Sequence, residues 1–210
     1  MNTLFVSDFK AIFKEILAVM EENKDFLVEL DAQAGDGDLG ISMCQGFSAI
    51  AAGIEGLEVT EINRLLSNAA MILNEASPST MGTILSVGLM GGAKTIKGKT
   101  QVELQDLADF FAAAIAAIMS RAGSKPGEKT ILDALNAGSL ALAESAKCGD
   151  DLSVAAKKAY EAAHQGMLDT KNMISVHGRA AYYAATSIGR QDGGATVGML
   201  IFKAFHNYIG

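Results

Sequence analysis

The sequence predicts an all-α protein of about eight antiparallel, amphipathic helices. Three observations lead there. Apolar residues recur at i, i+3, i+4 and i+7 in segment after segment. Ala, Leu, Ile and Met supply the core, whereas aromatic residues are 6% of the chain and Trp is absent, a balance that favours helices over sheets. The two prolines, Pro78 and Pro126, both fall between helical patterns, where a missing amide donor costs least. No stretch alternates convincingly enough to be a strand.

Taken in order, the first apolar stripe is Phe9, Ile12, Phe13, Ile16, Leu17 and Met20. A shorter one over 26–30 runs into a glycine-rich loop. The next helix is expected to begin near Gly40 and to carry Met43, Phe47, Ile50 and Ile54 inward. Thr60 suits the N-cap of a helix carrying Ile62, Leu65, Leu66 and Met71. Ser77-Pro78-Ser79 breaks the pattern, because proline lacks the donor and restrains its predecessor. Another helix follows over about 80–96. Thr100 and Glu103 have capping-box spacing, and Leu104, Leu107, Phe111, Ile115 and Ile118 continue from them. After a turn-rich segment, Thr130 opens a helix with Ile131, Leu132, Leu135 and Leu142. The pattern repeats from Asp151 with Leu152, Ala156, Ala159, Ala163 and Met167. Residues 173–194 read as irregular and polar, with a short helical piece over 180–185 at most. A last helix carries Val197, Leu200, Ile201, Ala204, Phe205 and Tyr208.

The 210 residues suit one well-filled domain over 1–210, and two would be cramped. Half of them are hydrophobic and a fifth charged, a globular balance. A net charge of −7 argues against a nucleic-acid partner, whose phosphates would be repelled. Cys44 and Cys148 are too few and too far apart for a disulfide or metal framework and fit a reduced cytosol. The longest apolar run, over 110–119, is about half what a membrane span needs, and no signal peptide is visible at the N-terminus. A soluble, cytoplasmic protein without a membrane partner is expected.

The chemistry concentrates in the loop before Gly40. Asp31, Asp36 and Asp38 fall within eight residues, and Gly35, Gly37 and Gly40 free the backbone around them. On a helix, Asp36 and Asp38 would point apart; in a loop all three can turn inward, where they repel one another unless a cation lies between them. An oxygen-only ligand set suits Mg²⁺, which keeps waters and phosphate oxygens in its shell. A plain polar turn is the alternative, since Asp-Gly pairs are ordinary loop chemistry. An EF-hand is excluded: counted from Asp31, Asp36 or Asp38, the twelfth position is Ser42, Phe47 or Ala49, never Glu.

Three more polar, glycine-rich segments, 76–82, 122–130 and 178–194, are spaced from this loop by pairs of helices. In an up-and-down bundle, such loops emerge at one end. Helix N-termini at Gly40, Thr80, Thr130 and Gly194 would then face a common rim, and helix N-termini suit phosphate. Arg179 offers a planar fork for the same ligand. Asp192-Gly193-Gly194 joins an acceptor to a tight turn at a helix start, which in isolation reads as a cap. Lys97-Gly98-Lys99-Thr100 looks like the tail of a P-loop, but Ala93 stands where the first glycine belongs and no strand precedes it. His164 and His206 read as surface or core-edge residues, and His177, alone in its loop, reads as structural.

Read together, Gly35-Asp36-Gly37-Asp38-x-Gly40-x-x-Met43, Lys125-Pro126-Gly127-Glu128-Lys129-Thr130, Gly178-Arg179-Ala180-x-Tyr182 and Ser187-Ile188-Gly189-x-Gln191-Asp192-x-Gly194-Ala195-Thr196 resemble the nucleotide-binding L subunit of dihydroxyacetone kinase. The blocks fall in family order and span essentially the whole chain. The resemblance implies a barrel of eight helices with ADP or ATP bound across a loop-rich rim. It implies that Asp31, Asp36 and Asp38 hold two Mg²⁺ ions. Leu39, Gly40, Ile41 and Ser42, with Thr80 and Met81, would contact phosphates. Ala122, Ile131, Arg179, Asp192, Gly193 and Gly194 would line the rest of the pocket. It further implies phosphoryl transfer to a short ketose held on a separate K subunit. The donor is either exchangeable ATP or a retained ADP recharged by a phosphotransferase-system phosphocarrier. A nucleotide-sensing protein without transfer is the rival of another class. The chain departs from the family's kinases at Leu39, where His is usual, and at Ser42, where Asn is usual. Pro78-Ser79-Thr80-Met81-Gly82 replaces a Gly-Gly-Ala-Ser-Gly loop, and Ala122 replaces a Gly. These departures predict a looser nucleotide site.

Overall fold

The computed structural model of the chain describes residues 2–210, the side chains of Tyr183 and Ala185 lying outside those described. The fold is all-α, as the periodicity predicts. Nine α-helices are present among the described residues: α1 (Val6–Glu22), α2 (Lys24–Ala32), α3 (Leu39–Glu55), α4 (Ile62–Ala76), α5 (Thr80–Ala93), α6 (Leu104–Ala122), α7 (Ile131–Cys148), α8 (Leu152–Asp169) and α9 (Gly193–Ile209). The ninth is the short α2, which the sequence shows only as a fragment of stripe. None of the described helices is long and apolar enough to cross a membrane.

Helix existence follows the stripes because an amphipathic face packed on its neighbours supplies most of a helix's stability. Helix ends follow tertiary contacts instead, and several expectations are corrected. The chain does contain strands: β1 (Leu4–Phe5) pairs antiparallel with β2 (Gln101–Val102), Leu4 opposite Val102. Two residues are too few to show an alternation. Because Gln101 and Val102 are extended in this ladder, α6 cannot start at a Thr100 cap; Glu103 is the N-cap and its amide donates to Asp106 Oδ2 at 3.1 Å. The N-cap of α4 is Glu61 rather than Thr60, and Ile62 N donates to Lys99 O at 2.9 Å across the α5–α6 connection. Helix α5 ends at Ala93, short of 96, where Thr95 Oγ1 donates to Gly92 O at 2.8 Å. Met71 lies outside the buried stripe of α4 and is 55% exposed.

Neighbouring helices pack in the order α1, α3, α4, α5, α6, α7, and α7 packs on both α8 and α9; α9 returns to α1, so the contacts close on themselves. Helix α2 rests against α3 and α9. The side chains facing inward, Met20, Met43, Ile50, Leu65, Leu132 and Phe202 among them, are fully buried. An apolar cavity of about 100 Å³ remains between Phe13, Leu85, Phe110, Leu135 and Phe205. What this arrangement does for function is to bring the starts of α3, α5, α7 and α9 together.

Candidate functional site

Asp31 lies in the last turn of α2 and builds the acidic loop itself. Its carbonyl accepts from the amides of Gly35 (2.6 Å) and Ala34 (3.0 Å). Its carboxylate Oδ2 accepts from the amides of Gly37 (2.8 Å) and Asp38 (3.1 Å). Gly37 has φ of +73°, a left-handed conformation that glycine adopts without strain. The chain doubles back, and one oxygen from each of Asp31, Asp36 and Asp38 falls within 4.8 Å of the others. Two unit charges 4 Å apart interact by about 1 kcal/mol in water and about 4 kcal/mol at an effective dielectric near 20. The crowding is visible in Asp38, whose carboxyl is pushed above its ordinary value by burial, then by the charges of Asp36 and Asp31, with Arg179 opposing. Arg179 Nη1 pairs with Asp36 Oδ2 at 2.6 Å.

These residues fit Mg²⁺. The donors are all carboxylate oxygens, Asp36 and Asp38 are exposed, and the cluster carries more negative charge than one guanidinium offsets. Exposure leaves room for the waters and phosphate oxygens that this ion keeps.

Four helix starts close on the loop. A Cβ on Gly193 would stand 2.9 Å from Leu39 Cδ2; one on Gly194 would stand 2.9 Å from Met81 Cε and 3.2 Å from the Ile131 amide. The first turns of α3, α5, α7 and α9 are therefore in contact through Leu39, Met81, Ile131, Gly193 and Gly194. Gly40 packs directly on the Lys24 carbonyl at the start of α2, where a side chain would overlap it. Three of the starts carry side-chain caps: Ser79 Oγ accepts from Gly82 N, Thr130 Oγ1 from Leu132 N, and Asp192 Oδ1 from Ala195 N. The caps satisfy part of each first turn, and a helix start carries the positive end of its dipole whether or not it is capped.

The remaining expected contacts differ in exposure. Ile41 and Thr80 are exposed, whereas Leu39 and Ser42 are buried, so Leu39 fills the space under the Gly193 turn. Ala122 ends α6, half-buried, at the foot of the 122–130 loop and outside the set of contacts that joins the other segments. Asp192 is pushed up to about 6, chiefly by burial and further by Asp133, while the Ala195 amide and Lys129 pull it back. Its own amide donates to Thr170 Oγ1 at 3.1 Å.

Several residues that organise the rim escape the sequence reading. Asp133 accepts from Gly127 N through Oδ1 (2.5 Å) and from Thr130 N through Oδ2 (2.6 Å), fixing the 127–130 turn. The Thr130–Asp133 spacing is a visible cap signature. His177 Nε2 lies 2.6 Å from Glu128 Oε2, and this bond, followed by the Lys125 amide, holds Glu128 below its ordinary value. The structural reading of His177 stands, with a partner that sequence spacing does not reveal. Lys129 is buried, and its ammonium donates to three backbone carbonyls and lies close to a fourth.

A family model described as the DAK2 domain matches residues 33–207. The ADP-binding subunit DhaL of the PEP-dependent dihydroxyacetone kinase of Escherichia coli K12 is 26% identical over 185 residues, 88% of this chain and 88% of that protein. The L-erythrulose kinase of Pectobacterium atrosepticum is 34% identical over 182 residues, 85% of this chain but 30% of that protein. The fold superposes on the crystal structure of the dihydroxyacetone kinase of C. freundii in complex with AMP-PNP and Mg²⁺ with a TM-score of 0.72 at 21% identity, covering 94% of this chain and 33% of that one. The chain thus spans about a third of these two longer kinases and most of the length of the separate subunit.

Proposed function

Because the chain belongs to the DAK2 domain family, we propose that it is the nucleotide-binding subunit of a dihydroxyacetone-type kinase, acting as a single cytoplasmic domain over 1–210. One observation carries the reading: three carboxylates converge on a rim made by four helix starts. Carboxylates alone would repel a nucleotide, and helix N-termini alone would have no means of holding its metal. Together they describe a site for a metal-bound phosphate chain.

Asp31, Asp36 and Asp38 would hold two Mg²⁺ ions. Bound there, the ions would neutralise the phosphates and the charge that develops on the transferred group. The chain's own contribution is positioning. Backbone amides at 39–41, 80–81 and 193 orient phosphate oxygens, with Ser42 and Gly194 behind them and Ile131 bounding the pocket beside them; Ala122 reaches it only through the 122–130 loop. Arg179, now on Asp36, carries a fork that can move to a phosphate oxygen once metal takes over that carboxylate. The similarity to a protein named as one subunit of a kinase supports placing the acceptor on a separate K subunit. The isolated chain is expected to form no product from dihydroxyacetone or erythrulose with ATP, and to do so when the K subunit is added. Efficient turnover by the chain alone contradicts this.

The donor follows from the departures at the rim. Leu39 offers an amide and no side-chain hydrogen bond, and its side chain is turned under Gly193. A lost hydrogen bond to a charged group is worth about 1.5–3 kcal/mol, or roughly tenfold to a hundredfold in affinity. The nucleotide therefore exchanges, and ATP is the donor. Protein passed through a desalting column is expected to carry no ADP. Stoichiometric ADP after desalting points instead to the second reading, suggested by the names of relatives called ADP-binding subunits of PEP-dependent or PTS-dependent kinases, in which a phosphotransferase-system phosphocarrier recharges a retained coenzyme.

A further inference from the structure

Lys129 combines two features that ordinarily do not meet. Its backbone has φ of +59°, the one left-handed residue other than glycine among those described, a conformation that costs a side-chain-bearing residue free energy. Its side chain is also buried, 6% exposed, an expensive location for an ammonium. Glycine would remove both costs. What the lysine supplies in return is its Nζ. It donates to Thr170 O, Ser187 O and Arg190 O, each at 2.7 Å, and reaches Met173 O at 3.3 Å.

These four carbonyls come from two places. Thr170 opens the 3-10 turn Thr170–Asn172 after α8 and Met173 follows it; Ser187 and Arg190 follow the 3-10 stretch Arg179–Thr186. Between the two pairs the chain makes the excursion that carries His177 and Arg179. The ammonium thus ties together both feet of one loop. Other bonds run parallel to it: Gly189 N to Lys171 O at 2.7 Å, Ser175 N to Ser187 Oγ at 3.0 Å and Asp192 N to Thr170 Oγ1 at 3.1 Å. At the second foot Asp192 and Gly193 begin α9 on the rim. Burial, with Arg190, holds the ammonium below its ordinary value, and the carboxylates of Asp192 and Asp133 offset part of that.

We propose that Lys129 is a positioning residue: its ammonium occupies a monovalent-cation cage of four main-chain carbonyls and thereby holds the 173–190 loop, with Arg179, over the phosphate rim. A cage of carbonyl oxygens takes an ammonium as it would take a potassium ion, so the interaction is one of charge and fit rather than of a particular side chain. The proposal rests on the nucleotide reading only for its binding arm.

The test uses Lys129→Met, which keeps the length and loses the charge, and Lys129→Ala, which empties the cage. In Lys129→Met the far-ultraviolet circular dichroism is expected to match the wild type. Amide hydrogen exchange should rise in 173–190 and not in the helices. ADP affinity in Mg²⁺ should fall by about tenfold or more. In Lys129→Ala, millimolar propylammonium or butylammonium should restore protection of that segment, and sodium chloride at equal ionic strength should not. Unchanged protection of 173–190 in Lys129→Met overturns the proposal, as does loss of the helical signal or equal rescue by sodium chloride. Absence of ADP binding by the wild type defeats the nucleotide reading alone, and the exchange data then decide on Lys129.

Discussion

Asp36→Asn and Asp38→Asn are each expected to weaken Mg²⁺-dependent ADP binding by about a hundredfold or more. Changes to groups that merely orient a metal's ligands cost about 10–100-fold, and a carboxylate that ligates directly lies at or beyond the top of that range. Asparagine keeps the size of the side chain and one acceptor oxygen, so the loop retains its shape. Asp31 continues to hold it through the Gly37 and Asp38 amides. Removing one of three charges that lie within 4.8 Å of one another relieves repulsion in the free protein. Thermal stability should therefore stay the same or rise while binding collapses. That opposition of signs separates a metal site from a polar turn, in which either substitution would leave binding alone. Calorimetric titration with ADP and a melting curve on the same samples measure both. Binding within threefold of the wild type in both variants removes the carboxylates from the site.

Phe202→Ala is expected to cost about 3–5 kcal/mol of stability, the largest loss foreseen for any single truncation. Phe202 is wholly buried on α9. Its ring stacks on Phe111 of α6 with centroids 4.8 Å apart and an interplanar angle of 28°. It also covers Gly138 of α7 so closely that a Cβ there would overlap the ring. One side chain thus joins three helices, and its pocket cannot collapse from one side alone. For a chain of this length each kcal/mol moves the melting temperature by about 2–4 °C, so a drop of roughly 6–20 °C follows. Urea denaturation gives the free energy directly. A loss below 1 kcal/mol means that the α6–α7–α9 seam repacks freely and that the core is less specific than its geometry suggests.

The two predictions draw on residues that differ in how legible they are. Phe202 is not among the apolar residues the sequence reading assigns to the last helix, although its neighbours Val197, Leu200, Ile201 and Phe205 are. The helix hydrophobic nearly all round hides which positions matter most. The Asp31, Asp36 and Asp38 cluster is legible because its members are adjacent in sequence and the intervening glycines announce a loop. The stripes of α1, α3, α7 and α8 are legible for a related reason, since 3.6-residue periodicity is a local signal. What sequence reading misses depends on distant partners. The start of α4 is set beside Lys99, and that of α6 by pairing with Leu4 and Phe5. The Lys129 cage lies 41 to 61 residues away in sequence and consists of carbonyls, which every residue carries and which leave no trace in side-chain identity. His177 and Glu128, 49 residues apart, are hidden in the same way.

The central claim is that the acidic loop and the four helix starts form one site for a metal-bound nucleotide. Titration of the desalted wild-type protein with ADP, once in Mg²⁺ and once in EDTA, tests it most directly. Binding is expected to be stoichiometric in Mg²⁺ and to disappear in EDTA. Equal binding in both conditions, or none in either, contradicts it.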